Sequence, residues 1–208
     1  MPHFIAIEGL DGSGTSTQAQ ALAQALNERG EAADATFEPS EGAVGRLIRK
    51  YLVGDLKSAD EEKADRNFLA YLFAADRQDH LENQESGIKA AIAAGRHVVC
   101  ARYVMSSYAY EGDDAAELEF VKKLNDSFLL PDLVLYLDCP VEVSLARLQS
   151  TRDRLDIFEN RQKLERVRAG YLRAMESWPG PVLVCDATRE AAAITAEALE
   201  VLDLGHSE

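Results

Sequence analysis

Apolar residues in this chain fall into two kinds of run that alternate. Phe4-Ile5-Ala6-Ile7, Val98-Val99-Cys100-Ala101, Leu133-Val134-Leu135-Tyr136-Leu137 and Val182-Leu183-Val184-Cys185 are short blocks that are apolar at every position. Such a strand must be covered on both faces, as in a parallel sheet. Ala35-Thr36-Phe37 is a shorter candidate of the same kind. Between the blocks the spacing turns helical. Ala19 to Arg29 carries Leu22, Ala23 and Leu26 on one face before Gly30 ends it; a second helix runs from about Ala43 to Leu52. Asp60 to Gly95 lacks proline and is broken once, at Gly87, so two helices are expected there, the first containing Phe68 to Arg77. Pro140 opens another helix, and Glu190 to Leu202 is the closing one. Strands alternating with helices predict an α/β fold, with a parallel sheet of about five strands and helices on both faces. Ligands of such sheets sit at the carboxyl ends of the strands, which singles out Asp11, Glu38, Arg102 and Asp138.

Composition narrows the picture. At 208 residues and 47% hydrophobic, the chain suits one domain over 1–208, with a small lid segment near 148–160. With 36 acidic side chains against 22 Lys and Arg, the formal net charge is -14, which argues against nucleic acid polymers and anionic membrane surfaces as partners. A small anion remains compatible if a few basic side chains are focused on it. Cys100, Cys139 and Cys185 lie far apart with no metal spacing and read as buried reduced thiols. No apolar run has transmembrane length, and Glu8 and Asp11 cut the N-terminal one short, so a soluble cytoplasmic protein is expected.

The candidate chemistry begins at Gly9-Leu10-Asp11-Gly12-Ser13-Gly14-Thr15-Ser16-Thr17, between the first strand and the first helix. Such a turn aims consecutive backbone N–H groups at one point by a helix N-terminus, where phosphate is attracted. Gly9 and Gly14 stand five apart, with the hydroxyl of Ser16 two residues further on, which is P-loop spacing. The motif's lysine is replaced by Thr15. A glycine-rich turn that binds nothing is the plain alternative.

Further motifs follow in order: Glu38-Pro39, Phe73 with Asp76-Arg77, Arg102-Tyr103 to Tyr110, Pro131-Asp132 leading into Leu137-Asp138, and Arg166 to Tyr171. Together with the glycine loop they resemble thymidylate kinase over nearly the whole chain. The resemblance implies a P-loop NTPase-like three-layer sandwich and transfer of the γ-phosphoryl of ATP to dTMP, with Mg²⁺. It implies that Gly9, Gly12, Ser13, Gly14, Thr15, Ser16 and Thr17 hold ATP, and that Ser16 and Asp11 serve the metal. Phe73 would stack on thymine, Arg77 would bond its edge, and Arg102 would hold the dTMP phosphate, with Arg49 and Glu38 nearby. Ser107 and Tyr110 would line the base and sugar pocket. A homodimer is implied on the same ground alone. The residue types suit these roles: rings stack on flat bases, and planar guanidinium suits phosphate. Taken singly, Phe73 reads as core, Arg77 as a surface charge and Tyr110 as packing.

Four positions depart from the family pattern. Thr15 replaces Lys, Ala101 replaces an Asp before Arg102, Phe37 stands where many members have Arg, and Glu111 follows Tyr110 where Gln is usual, setting an ionisable carboxyl beside the base pocket. Removing one preorganised group from a reacting centre costs about 3 kcal/mol. Arg152 or Arg154, in the basic lid, is the candidate replacement for the lysine, since one arginine on a transferring phosphoryl is worth roughly 10³–10⁵ in rate; a solvated helix end is the plain alternative for both. The alternatives are a nucleotide-binding protein with impaired catalysis and a kinase for another pyrimidine monophosphate.

Overall fold

The computed structural model describes residues 1–56, 62–150 and 157–204. Five strands, β1 (Phe4–Gly9), β2 (Ala33–Phe37), β3 (His97–Ala101), β4 (Leu133–Asp138) and β5 (Val182–Asp186), form one sheet. Their order is β2-β3-β1-β4-β5 and every pairing is parallel. The helices are α1 (Thr15–Glu28), α2 (Ala43–Leu52), α3 (Glu62–Glu82), α4 (Ile88–Ala93), α5 (Val104–Glu111), α6 (Ala115–Asn125), α7 (Val141–Gln149), α8 (Ile157–Glu176) and α9 (Ala191–Leu204).

The all-apolar blocks are central strands because successive side chains enter different cores. In β1, Phe4 and Ala6 join one buried cluster while Ile5 and Ile7 join another. β3 and β4 split the same way, at Val98 and Cys100 against Val99, and at Val134 and Tyr136 against Leu133, Leu135 and Leu137. α1 and α9 close one face through Leu22, Leu26, Ile194 and Ala198. α5, α7 and α8 contribute to the other through Val104, Leu145, Leu164 and Val167. Each fully buried side chain of this kind contributes about 1.5–3 kcal/mol, so the two clusters make the three-layer α/β sandwich that the sequence predicts.

β1 lies in the middle, pairing Ile5 with both Val99 and Leu133. Because all five strands run the same way, the loops after β1, β2 and β3 open at one edge. Three details differ from the sequence reading. α1 starts at Thr15, inside the glycine loop, and β2 starts at Ala33. The hydroxyl- and aromatic-rich stretch after β3 contains the helix α5, and α6 follows it, capped by Asp114 accepting the Glu117 N–H. Neither helix is evident in the sequence, because α5 is buried or half-buried at every position and mixes polar with apolar residues, so it shows no amphipathic stripe. The break expected at Gly87 does separate α3 from α4. All three cysteines are free and buried. Arg152 and Arg154, with the rest of 151–156 in the expected lid, lie outside the described residues.

Candidate active site

The glycine loop is built from backbone. Gly12 and Gly14 have φ of 81° and 100°, in the left-handed region where a side chain is strained. At Gly12 there is no room for one either, because a Cβ would lie 2.8 Å from the Ser144 carbonyl oxygen. α1 has neither a side-chain cap nor an acidic residue in its first turn. Its first intrahelical bond runs from the Gln18 N–H to the Gly14 oxygen, at 2.9 Å. The earlier N–H groups, of Thr15, Ser16 and Thr17, precede the helical ladder and face the loop mouth with the positive end of the helix dipole. Thr15 is buried, while Ser16 and Thr17 are exposed. From α7, Arg147 donates to the Gly12 and Ser13 carbonyls, both at 3.3 Å, and to that of Ala187 at 3.0 Å. It braces the loop from outside. Arg161, on α8, is held on the surface by Glu142 at 2.7 Å.

Beside the loop stands Arg102, immediately after β3. Its φ of 67° makes it the one non-glycine residue with positive φ among the described residues. The guanidinium donates to the Gly9 carbonyl at 3.0 Å and to Asp11 Oδ1 at 2.7 Å, and it lies 5.2 Å from the centre of the Tyr110 ring. This arrangement places an arginine against the glycine loop. The Tyr110 hydroxyl is buried with no hydrogen-bond partner among the described residues.

Below Arg102 lies Glu8, the last polar side chain of β1 and fully buried. Oε1 accepts the backbone N–H of Tyr103 at 2.9 Å and of Ser106 at 3.2 Å, and Oε2 accepts the hydroxyls of Ser106 at 2.5 Å and Tyr171 at 3.1 Å. Burial pushes its carboxyl up to about 7, against the pull of those bonds and of Arg102.

A second cluster is organised by Arg77. α3 carries Phe73 and Arg77 one turn apart, on one face. Arg77 is almost completely buried, so it is no surface charge. It donates to Glu38 Oε2 at 2.6 Å, to Asn125 Oδ1 and to Ser107 Oγ at 3.3 Å, and stacks 5.0 Å from the Tyr103 ring centre. Removing one partner from a buried ion pair of this kind costs about 3–5 kcal/mol. Asp76, its neighbour, accepts the Ser40 N–H and hydroxyl, both at 2.6 Å, and so fixes the loop after β2. Phe73 is half-buried and belongs to neither core cluster, which removes the plain reading of it as core.

Glu111, at the end of α5, is buried. Its Oε2 has no hydrogen-bond partner among the described residues, and neither has Arg77 Nε. Burial pushes Glu111 up to about 8, although Arg77 and Ser107 pull it down. At neutral pH it is therefore mostly a neutral carboxyl, which offers one donor and one acceptor much as an amide does. The glutamate at this position does not bring the anion that its identity suggests.

Some suspected residues stay apart. Asp138 is held by Arg168 at 2.8 and 3.1 Å and lines a separate cleft of about 730 Å³ with Glu142, Glu165 and Asp186. Arg49 is tied to the Pro39 carbonyl at 2.6 Å and to Glu41 at 3.3 Å, on the loop after β2. Sequence reasoning missed Glu8, Ser106, Asn125 and Arg147 as site residues. Glu8 alone left a signal, as a charged residue inside a strand that is otherwise apolar on both faces.

The family model described as thymidylate kinase matches residues 7–198. A relative named "Probable thymidylate kinase" from Methanococcus maripaludis is 38% identical over 180 residues, covering 86% of this chain and 81% of its own. Another of that name, from Thermococcus kodakarensis, is 38% identical over 181 residues, covering 85% of each chain.

Proposed function

The chain belongs to the thymidylate kinase family, and from that membership we propose that it transfers the γ-phosphoryl group of ATP to dTMP, giving dTDP and ADP. The observation that carries this reading is Arg102, whose guanidinium joins the glycine loop to the face of Tyr110. An acceptor phosphate held there lies beside the loop that cradles the donor phosphates. One acceptor oxygen attacks the γ-phosphorus while the bond to the β–γ bridging oxygen breaks, so ADP leaves with that bond's electron pair. Both nucleotides are anionic, and positioning with charge neutralisation supplies most of the rate. Gly9, Gly12, Ser13, Gly14, Thr15, Ser16 and Thr17 hold ATP, and Arg152 or Arg154 stands in for the missing lysine. Phe73 stacks on thymine, Arg77 donates to its edge with Glu38 holding the guanidinium, and Ser107 and Tyr110 close the pocket around base and sugar. Arg49 would reach the acceptor phosphate only by leaving its bonds to the Pro39 carbonyl and Glu41.

Magnesium fits this site. Ser16 offers an exposed hydroxyl on the first turn of α1 and Asp11 a carboxylate, both hard oxygen donors. When bound, the ion neutralises charge on the β- and γ-phosphates. The single domain, the cytoplasmic location and the homodimer belong to the same reading.

Steady-state turnover of dTMP with ATP and Mg²⁺, beside dUMP and beside calorimetric binding, tests the proposal. Turnover of about 1 s⁻¹ or more with dTMP is expected, and Arg152→Ala and Arg154→Ala should lower it. Tight dTMP binding without turnover would instead make the chain a nucleotide-binding protein.

A further inference from the structure

Arg102 occupies a backbone conformation that costs about 1–3 kcal/mol for a non-glycine residue. Something must hold it there. On its own N–H side the ladder does so, because the Arg102 N–H donates to the Ile7 carbonyl at 2.8 Å. On the other side there is no strand. The N–H groups of Tyr103 and Ser106 that follow both reach Oε1 of Glu8, that of Ser106 shared with the Tyr103 carbonyl at 3.1 Å. They are donors of the N-terminal turn of α5, which has no side-chain cap of its own, so a carboxylate from a different element takes the cap's place.

The other oxygen of the same carboxylate reaches the guanidinium. Oε2 accepts the Ser106 and Tyr171 hydroxyls, which lie 2.8 Å from one another. Either hydroxyl can donate to the other while its partner donates to Oε2, and in both arrangements the two oxygens keep lone pairs for Arg102 Nη1, at 3.4 Å from Ser106 and 3.3 Å from Tyr171. One buried carboxylate thus fixes the peptide after Arg102, caps the helix behind it and orients two of the oxygens that flank its side chain. Packing alone does not require this, since a valine or leucine at the end of β1 would fill the layer without the cost of a buried carboxyl.

We propose that Glu8 is a positioning residue for Arg102, setting the guanidinium at the acceptor phosphate through the α5 turn and the Ser106 and Tyr171 hydroxyls. The inference rests on the reading of Arg102 as the ligand of the dTMP phosphate. The test is a double-mutant cycle on calorimetric dTMP binding to the full-length protein, comparing wild type, Glu8→Gln, Arg102→Ala and the double variant. Glu8→Gln should weaken dTMP about tenfold in the wild-type background and by less than about twofold once Arg102 is gone, with ATP binding unchanged. An equal factor in both backgrounds, or none in either, overturns the inference and leaves Glu8 a structural residue. Tyr171→Phe provides the same cycle should Glu8→Gln not fold: it removes a single hydroxyl of the relay, and its loss of dTMP affinity must also vanish without Arg102. If the wild-type protein binds no dTMP, the functional reading itself fails; if it binds dTMP and the cycle shows no coupling, only the role of Glu8 does.

Discussion

The two halves of the candidate site are made of different material. The donor half is backbone: a glycine loop and an uncapped helix start, carrying no lysine and braced from outside by Arg147. The acceptor half is side chain: Arg102 and Arg77 are anchored by acids, an amide, hydroxyls and rings contributed by the loops after β1 and β2 and by α5, α6 and α8. A backbone cradle binds any phosphate chain and says little about what is attached to it. A side-chain pocket with two fixed guanidiniums can discriminate, because each donor left unpaired by a wrong ligand costs free energy. On the proposed function, specificity belongs to the acceptor half, and Thr15 and Ala101, where the resemblance expects Lys and Asp, fall in the half that is more tolerant.

The largest break in this comparison comes from Arg102→Ala. It should lower kcat/KM for dTMP by roughly 10²–10³ while the KM for ATP changes little, in steady-state kinetics with each nucleotide varied in turn. A rise confined to the KM for ATP would place Arg102 on the donor side.

The reciprocal break is Gly12→Ala. The residue's φ of 81° and the Ser144 oxygen 2.8 Å from a new Cβ leave the loop nowhere to put a methyl group. A decrease of about 1–2 kcal/mol in stability, seen in urea unfolding, should come with weaker ATP binding and near-normal dTMP binding by calorimetry.

The smallest expected effect sharpens the acceptor side. Burial raises Glu111 to about 8, so the folded protein keeps a proton that the unfolded chain gives up near 4.5. The stability from this group is fully present below about 4.5 and is lost as pH rises to about 8. Glutamine has no proton to lose. The Tm of Glu111→Gln relative to wild type should therefore climb between pH 5 and pH 8 and level off above, by thermal unfolding across that range. A constant difference would mean that Glu111 is ionised in the folded protein throughout.

Much of this was legible from residue order. The strands β1, β3, β4 and β5, the break at Gly87, the glycine loop and the pairing of Phe73 with Arg77 are local patterns, and each stands where the pattern puts it. α5 and α6 were not legible: one is buried nearly all round, the other is a short helix after it. Asp138 sits at a strand end, as expected, yet Arg168 from α8 claims it, and no local rule names a partner 30 residues away.

The sequence by itself determined the fold and the glycine loop, because unbroken apolar runs, period-3.6 burial and the conformational freedom of glycine are properties of neighbours along the chain. Only the tertiary structure decided the acceptor half. Glu8 meets Ser106 and Tyr171, Glu38 meets Arg77, and Glu111 stays neutral because distant segments pack water away from them. Whether a carboxyl is an anion, a cap or a neutral donor depends on that exclusion of solvent, which the residue's identity does not carry.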